Sequence, residues 1–328
     1  GSDCDEVRAL DQISMSDWLS QHGWDSQPLR WAVNYACRDD YGLTLERTSA
    51  WAGIFYFASR LAEPGDDAQE VITWPEGHGR VVQHLASALG DHIHVSTAVA
   101  RIEPTVDGET ERTSGASVQA INTGDGRGMG WSAEHVICAA PQMIVQRLLP
   151  SFGESPEQSS QEFPYGSWVV ANVHLRDRPK SNGFPLAWDN VNYNSSSLGY
   201  VNCTHQIGVD HGPTVLTWYH PFADVESSKM RQEMMRLDWA DWAEVVLDDL
   251  RRVHDDIDSL VDRIDVMLWG HAMVQPRVGF VWSDTLRSAS QPRGPIHLAG
   301  TDLSGVALFE EALDHGVRAA EEILSAMG

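Results

Sequence analysis

Lysine is almost missing: Lys180 and Lys229 are the only two in 328 residues, and every other basic side chain is arginine. Basic residues of both kinds total 23 against 47 acidic ones, which leaves a formal charge of −24. A field of that sign repels phosphate backbones, so nucleic acid is excluded as a partner. The excess reads as a solubility or salt adaptation. Cysteine is sparse as well. Cys4, Cys37, Cys138 and Cys203 are scattered with no CxxC spacing, and the histidines form no HExxH, so neither a bound metal nor a disulfide framework is expected. Long apolar runs are absent: stretches such as 51–57 and 136–141 are too short to span a bilayer. No charged-then-apolar leader opens the chain. Gly1-Ser2 has the look of a tag scar or a trimmed end, so cytoplasm and periplasm both stay open as compartments.

A dinucleotide fingerprint is missing too. The glycine-rich segment Gly124-Asp-Gly-Arg-Gly-Met-Gly130 neither follows a βαβ strand nor opens a periodic helix, and Gly77-His78-Gly79 lacks a third glycine. No GxSxG elbow and no ordered Ser/His/Asp set supports a hydrolase.

What is present is an ordinary globular composition, 42% hydrophobic and 21% charged, which argues against disorder. Helices are expected from Ser14 or Ser16 through residue 22, over 28–37 and over 49–60, with a charged turn at 38–42 between the last two. A strand over 71–74 ends in a turn at 74–77, followed by a helix over 80–89 that stops at Gly90. The alternation over 93–102 predicts a strand, and 117–140 reads as a hairpin whose turn holds the glycines. Strands at 168–175, 198–202 and 214–219 suggest an antiparallel sheet. One long acidic helix is expected over 229–253, with Met234, Leu237, Trp242, Val245, Val246 and Leu250 inward. A further strand covers 264–269.

The chemistry concentrates at the C-terminus. A buried strand, Ile296-His297-Leu298-Ala299, leads through Gly300-Thr301-Asp302-Leu303-Ser304-Gly305 into a helix over roughly 309–327. Backbone amides of such a turn and of the helix start point at an electron-rich ligand. Gly300 lets that ligand approach the backbone, and Asp302 can accept a hydrogen bond from a sugar-like hydroxyl.

This block resembles the C-terminal signature of the FAD-dependent amine oxidase superfamily. Ala299-Gly300-Thr301-Asp302 matches its "AGTE" or "AGxD" turn, and Glu310, Ala312, Gly316, Ala319 and Ala320 match the helix that follows. Upstream, Trp74-Pro75-Glu76-Gly77 with the helix after it looks like the "GG…L…L" segment. Residues 136–141 match "VIxAxP", and 269–279 occupy the "W…P…PG" place. The resemblance implies an α/β (α+β) chain with an FAD-linked two-domain oxidoreductase fold. An incomplete Rossmann-like FAD domain would join a substrate domain built from an antiparallel sheet and helices. It divides the chain into substrate-domain helices (1–68), part of the FAD domain (69–150), the substrate domain (151–279) and a C-terminal FAD-binding strand-turn-helix (280–328).

The cofactor implied is FAD, held by Val99, Pro141, Gly300, Thr301, Asp302, Leu303, Ser304 and Gly305. Val99 would pair with adenine, Asp302 would contact the sugar-phosphate region, and the helix start would face the pyrimidine end of the flavin. The reaction implied is hydride transfer from a C–N or C–C bond of a small organic substrate to the flavin. His271, Trp269 and Tyr219 are the candidate catalytic residues, with Trp218 and His220 beside them; all suit a packed core equally well. The sequence departs from the family pattern at several places. The N-terminal strand–GxGxxG–helix is lacking, so the chain is expected to be short by one βαβ unit of roughly 30 residues or more. Leu308-Phe309 stands where monoamine oxidases carry an aromatic residue before "EGA", and no lysine lies in the central sheet around 168–175. An alternative therefore stays open: a non-catalytic or split subunit whose heteromeric partner chain supplies the missing unit.

Overall fold

The computed structural model describes residues 4–61, 74–106, 113–150, 163–180, 183 and 185–328, without the side chains of 227 and 228. Four helices come first: α1 (Asp5–Asp11), α2 (Met15–Gln21), α3 (Gln27–Tyr41) and α4 (Ala50–Ala58). The Ser14 hydroxyl accepts from the Asp17 amide at 3.0 Å and so caps α2. The charged turn expected at 38–42 is instead the last turn of α3. Val33, Cys37 and Tyr41 recur every four residues and are all buried, so packing carries the helix through Arg38, Asp39 and Asp40. It ends at Gly42, whose left-handed φ of 60° suits glycine.

Next come α5 (Gly79–Ser87) and a three-stranded antiparallel sheet of β1 (Thr97–Val106), β2 (Thr113–Asn122) and β3 (Gly128–Ala133). The strand expected from residue 93 begins only at Thr97, and the one expected at 71–73 lies outside the described residues. The expected hairpin is also redrawn. Gly128 and Gly130 belong to the return strand β3, opposite Ile121 and Gln119. The segment that was to close the hairpin forms a separate strand, β4 (Val136–Cys138), which leaves the sheet and runs into α6 (Gln142–Leu148). Its partner is β10, from the far end of the chain, in parallel register.

A five-stranded antiparallel sheet follows, built from β5 (Tyr165–Leu175), β6 (Asp189–Asn190), β7 (Tyr200–Asn202), β8 (Thr214–Pro221) and β9 (Val261–Val274), in the order β6-β7-β8-β5-β9. Between β8 and β9 lie α7 (Ser227–Met234), α8 (Trp239–Arg251) and α9 (Ile257–Leu260). The long acidic helix is thus two helices. Asp238 starts the second with a reciprocal capping box to Asp241, which breaks the run before Trp239. Met234, Trp242, Val246 and Leu250 do point inward, against Val169, Ala171, Val173, Leu216 and Trp218 of the sheet. Leu237 and Val245 do not: they are 37% and 41% exposed. The chain closes with α10 (Asp284–Ala289), β10 (Ile296–Leu298) and α11 (Phe309–Met327). A second core joins β1, β4, α6 and β10 through Ile102, Cys138, Leu148, Ile296 and Leu298. No helix among the described residues is long and apolar enough to cross a membrane.

The split of the acidic helix sets a test. Leu250→Ala should destabilise the protein by about 2–5 kcal/mol, because it empties a filled core site. Val245→Ala should stay within about 0.5 kcal/mol. Urea denaturation midpoints measure both, and equal losses would contradict the packing described.

Candidate functional site

The parallel pairing of β4 with β10 sets two distant turns side by side. The Ala299 amide donates to the Cys138 carbonyl at 3.1 Å, extending the pair by one bond. Just beyond, the Gln142 amide, which follows Pro141, donates to Asp302 Oδ2 at 2.8 Å. The Tyr165 hydroxyl donates to the same oxygen, and itself accepts from the Met143 amide at 3.3 Å. Asp302 is buried, so these charge-assisted bonds replace its lost hydration. Pro141 and Asp302 are thereby brought together. Tyr165 is the residue that sequence reasoning missed, because the strand expected there begins only at Trp168. Burial raises the Tyr165 pKa, and the Asp302 charge raises it further, so the phenol remains a donor.

The turn after β10 is open on one side. Gly300 has φ 134° and ψ 161°, and nothing lies within 4 Å of where a Cβ would stand. Residues Thr301–Ser304 form one 3-10 turn that ends at Gly305, with Leu303 packed into the second core. Among the described residues the amides of Thr301 and Asp302 donate to no other group. The start of α11 has no side-chain cap either. The His78 ring lies 5.8 Å from that of Phe309, so the Gly77–Gly79 turn borders the same helix start. Free amides around a side-chain-free backbone suit an electron-rich ligand, and in that respect the turn fits the sugar-phosphate and pyrimidine parts of FAD. Glu310 and Glu311 in the first turn of α11 work against an anion, but Glu311 is engaged by the Ser304 hydroxyl, which also meets His315 Nε2 at 2.9 Å. Val99 lies on the outer strand β1, 39% exposed, where the register with β2 shifts. That edge of β1 pairs with no other strand among the described residues.

Trp269, Tyr219 and Trp168 share one face of the five-stranded sheet. Trp269 pairs directly with Trp168. Tyr219 pairs with Val170, two residues further along the same face, and stacks on Trp168 at 6.4 Å and 14°. His271 stands edge-on to Tyr165, with ring centroids 5.7 Å apart. It is thus one ring away from the Asp302 carboxylate. Burial lowers the His271 pKa, and the Arg231 and Arg147 charges lower it further, so its imidazole is neutral at neutral pH. Tyr219 points elsewhere: its hydroxyl donates to Asp189 at 3.3 Å. Trp218 and His220 share the opposite face, their rings stacked at 5.8 Å, and Trp218 is a core residue whose indole donates to Asp249 at 2.8 Å. Beside the Gly300–Gly305 turn opens an apolar cavity of about 610 Å³, walled by Trp51, Phe55, Trp282 and Leu303. The aromatic residues of 49–60 read from sequence as core packing, whereas Trp51 and Phe55 are only partly buried and line this cavity.

Tyr165→Phe tests the bracket around Asp302. It removes a hydrogen bond to a buried carboxylate and should cost about 1.5–3 kcal/mol of stability. Chemical denaturation measures this, and an unchanged midpoint would show that the bond contributes nothing.

A profile of the family described as flavin containing amine oxidoreductase matches residues 7–324. No curated protein sequence matches the chain. Among solved structures, a putrescine oxidase with putrescine bound is similar over 98% of this chain and 70% of its own, at 19% identity and a TM-score of 0.71. Cyclohexylamine oxidase from Brevibacterium oxydans IH-35A is similar over 99% of this chain and 69% of its own, at 18% identity and a TM-score of 0.64. At such identity these likenesses speak to the fold, which is that of the two-domain FAD-dependent amine oxidases. On the match that spans nearly all its residues, the chain belongs to the flavin containing amine oxidoreductase family, whose members are FAD-dependent oxidoreductases.

Proposed function

We propose that the chain oxidises a small organic amine at the carbon bonded to nitrogen. Bound FAD would supply the chemistry, accepting a hydride from that carbon. The carrying observation is the bracket at Asp302, which joins the Pro141 turn, the open Gly300–Gly305 turn and, through Tyr165, His271. Residues 300–305 would hold the cofactor with their free amides, Pro141 would abut it, and Val99 would offer backbone groups to its adenine. His271 is exposed and neutral, and so able to take the proton an ammonium substrate must lose before its carbon can be oxidised. Trp269, about half exposed on the same sheet, would wall the substrate, and Tyr219 would orient it from the Asp189 end. The amines named for the similar solved structures, putrescine and cyclohexylamine, support a C–N rather than a C–C bond. A separate chain carrying a dinucleotide-binding unit gains no support from these comparisons.

The purified chain supplied with FAD should turn yellow and bleach when an amine is added without oxygen. Failure to take up FAD would overturn the proposal. His271→Gln should lower kcat by roughly a hundredfold or more at unchanged FAD content. The pH profile gives the sign: since the His271 pKa lies below the ordinary value of 6.5, the rate should hold through that pH and fall only below it. The acid limb should vanish in the variant.

A further inference from the structure

Among the described residues Arg38 forms no ion pair. Its guanidinium has five N–H donors, yet the one hydrogen bond it makes among the described residues runs from Nη2 to the Ser196 carbonyl. Among the described residues no carboxylate lies within 4.0 Å of it. The side chain is half-buried, and burial lowers its pKa. A partly desolvated charge left unpaired is costly unless something else meets it.

Arg38 faces a cavity of about 340 Å³ beneath the 220–225 segment. The other groups lining it are mostly donors. The Asn34 side chain uses its oxygen to accept from the Leu45 amide at 3.0 Å, so its NH2 remains available. The Thr44 hydroxyl makes no hydrogen bond to a described residue. His220 is held neutral, its pKa pushed down to about 4 by burial and by Arg38. The exception is Asp224. It also lines the cavity, is exposed, and has neither an ion pair nor a hydrogen bond among the described residues. Its charge favours that of Arg38 at long range without touching it. The cavity therefore presents one cation and one anion that do not meet, with Phe222 as an apolar wall.

We propose that this cavity binds a zwitterionic α-amino acid, its carboxylate on Arg38, Asn34 and Thr44, its ammonium on Asp224, and its side chain against Phe222. The separation of the charges is what selects the zwitterion. A simple anion would leave Asp224 unmet and repelling, and a simple amine would leave Arg38 as it is. The site is built by groups other than those on the His271 face, and strand alternation turns His220 away from Tyr219. The inference stands or falls apart from the amine-oxidation proposal.

Isothermal titration calorimetry on the full chain decides it, with L-leucine, isopentylamine and 4-methylpentanoate as probes; the last two each keep one of leucine's charges. Leucine should bind saturably, and each single-charge analogue at least about tenfold more weakly, the effect of one lost charged contact. Arg38→Gln should abolish leucine binding. Asp224→Asn, on the exposed rim, should weaken leucine about tenfold while leaving 4-methylpentanoate no weaker; it decides the matter if Arg38→Gln does not fold. His271→Gln should leave leucine binding unchanged. Absence of leucine binding, equal affinity for the three probes, indifference to Asp224→Asn, or loss of binding in His271→Gln would each overturn the proposal.

Discussion

One buried carboxylate holds the centre of this protein together. Asp302 follows β10, Gln142 follows β4 and Tyr165 opens β5, three separate segments of the chain, and a single oxygen of Asp302 accepts from the last two. A carboxylate away from water is tolerable only when charge-assisted hydrogen bonds replace its hydration. Those bonds depend on place. If β4 and β10 slipped by one residue, the Gln142 amide would miss Asp302, and the register of both strands is therefore coupled to the carboxylate. The Gly300–Gly305 turn is fixed from one side in this way, while the Thr301 and Asp302 amides keep no acceptor among the described residues.

The same carboxylate connects the two halves of the proposed chemistry. Tyr165 is the first residue of the long strand β5, and its ring stands against His271 near the end of β9. The turn that would grip a cofactor and the imidazole that would accept a proton are thus both referred to one phenol. Because burial and Asp302 hold that phenol protonated, it donates steadily in one direction. The two rings stand at 75° to each other, and no hydrogen bond joins His271 to Tyr165 among the described residues.

Much of this was legible before the fold was known, and the pattern of failures has a physical cause. The strand-turn-helix at 296–327 and the 136–141 segment were readable because glycine, proline and apolar runs act locally. The helix over 309–327 lies where its spacing put it. Pairing between segments was not readable. The same few apolar residues at 136–138 suit a hairpin return or a parallel strand, and what decides is β10, some 160 positions later in contact order with them. Tyr165 carried no local signal at all. The break before α8 is a different case: Asp238 and Asp241 spell a capping box, yet the continuous amphipathic pattern on either side masks it.

The acidic excess takes on structure once the residues are placed. Some of it is neutralised in clusters, as where Arg251 gathers Glu244, Asp248 and Asp258. Some is not. Asp39 makes no ion pair among the described residues, and burial, with Asp40 and Asp189 nearby, pushes its pKa up to about 7. Asp189 is likewise raised by burial and meets the Tyr219 hydroxyl. Arg60 is committed to Asp40. The Tyr219 end of the sheet face is therefore short of positive charge. A carboxylate with a raised pKa is one whose ionised form lacks a partner, and a cation arriving there would supply it. At the other end stands His271, whose pKa is lowered by burial and by two arginines. A field that welcomes an ammonium at one end and a base kept neutral at the other are opposite perturbations. Together they suit a substrate that must arrive charged and react uncharged.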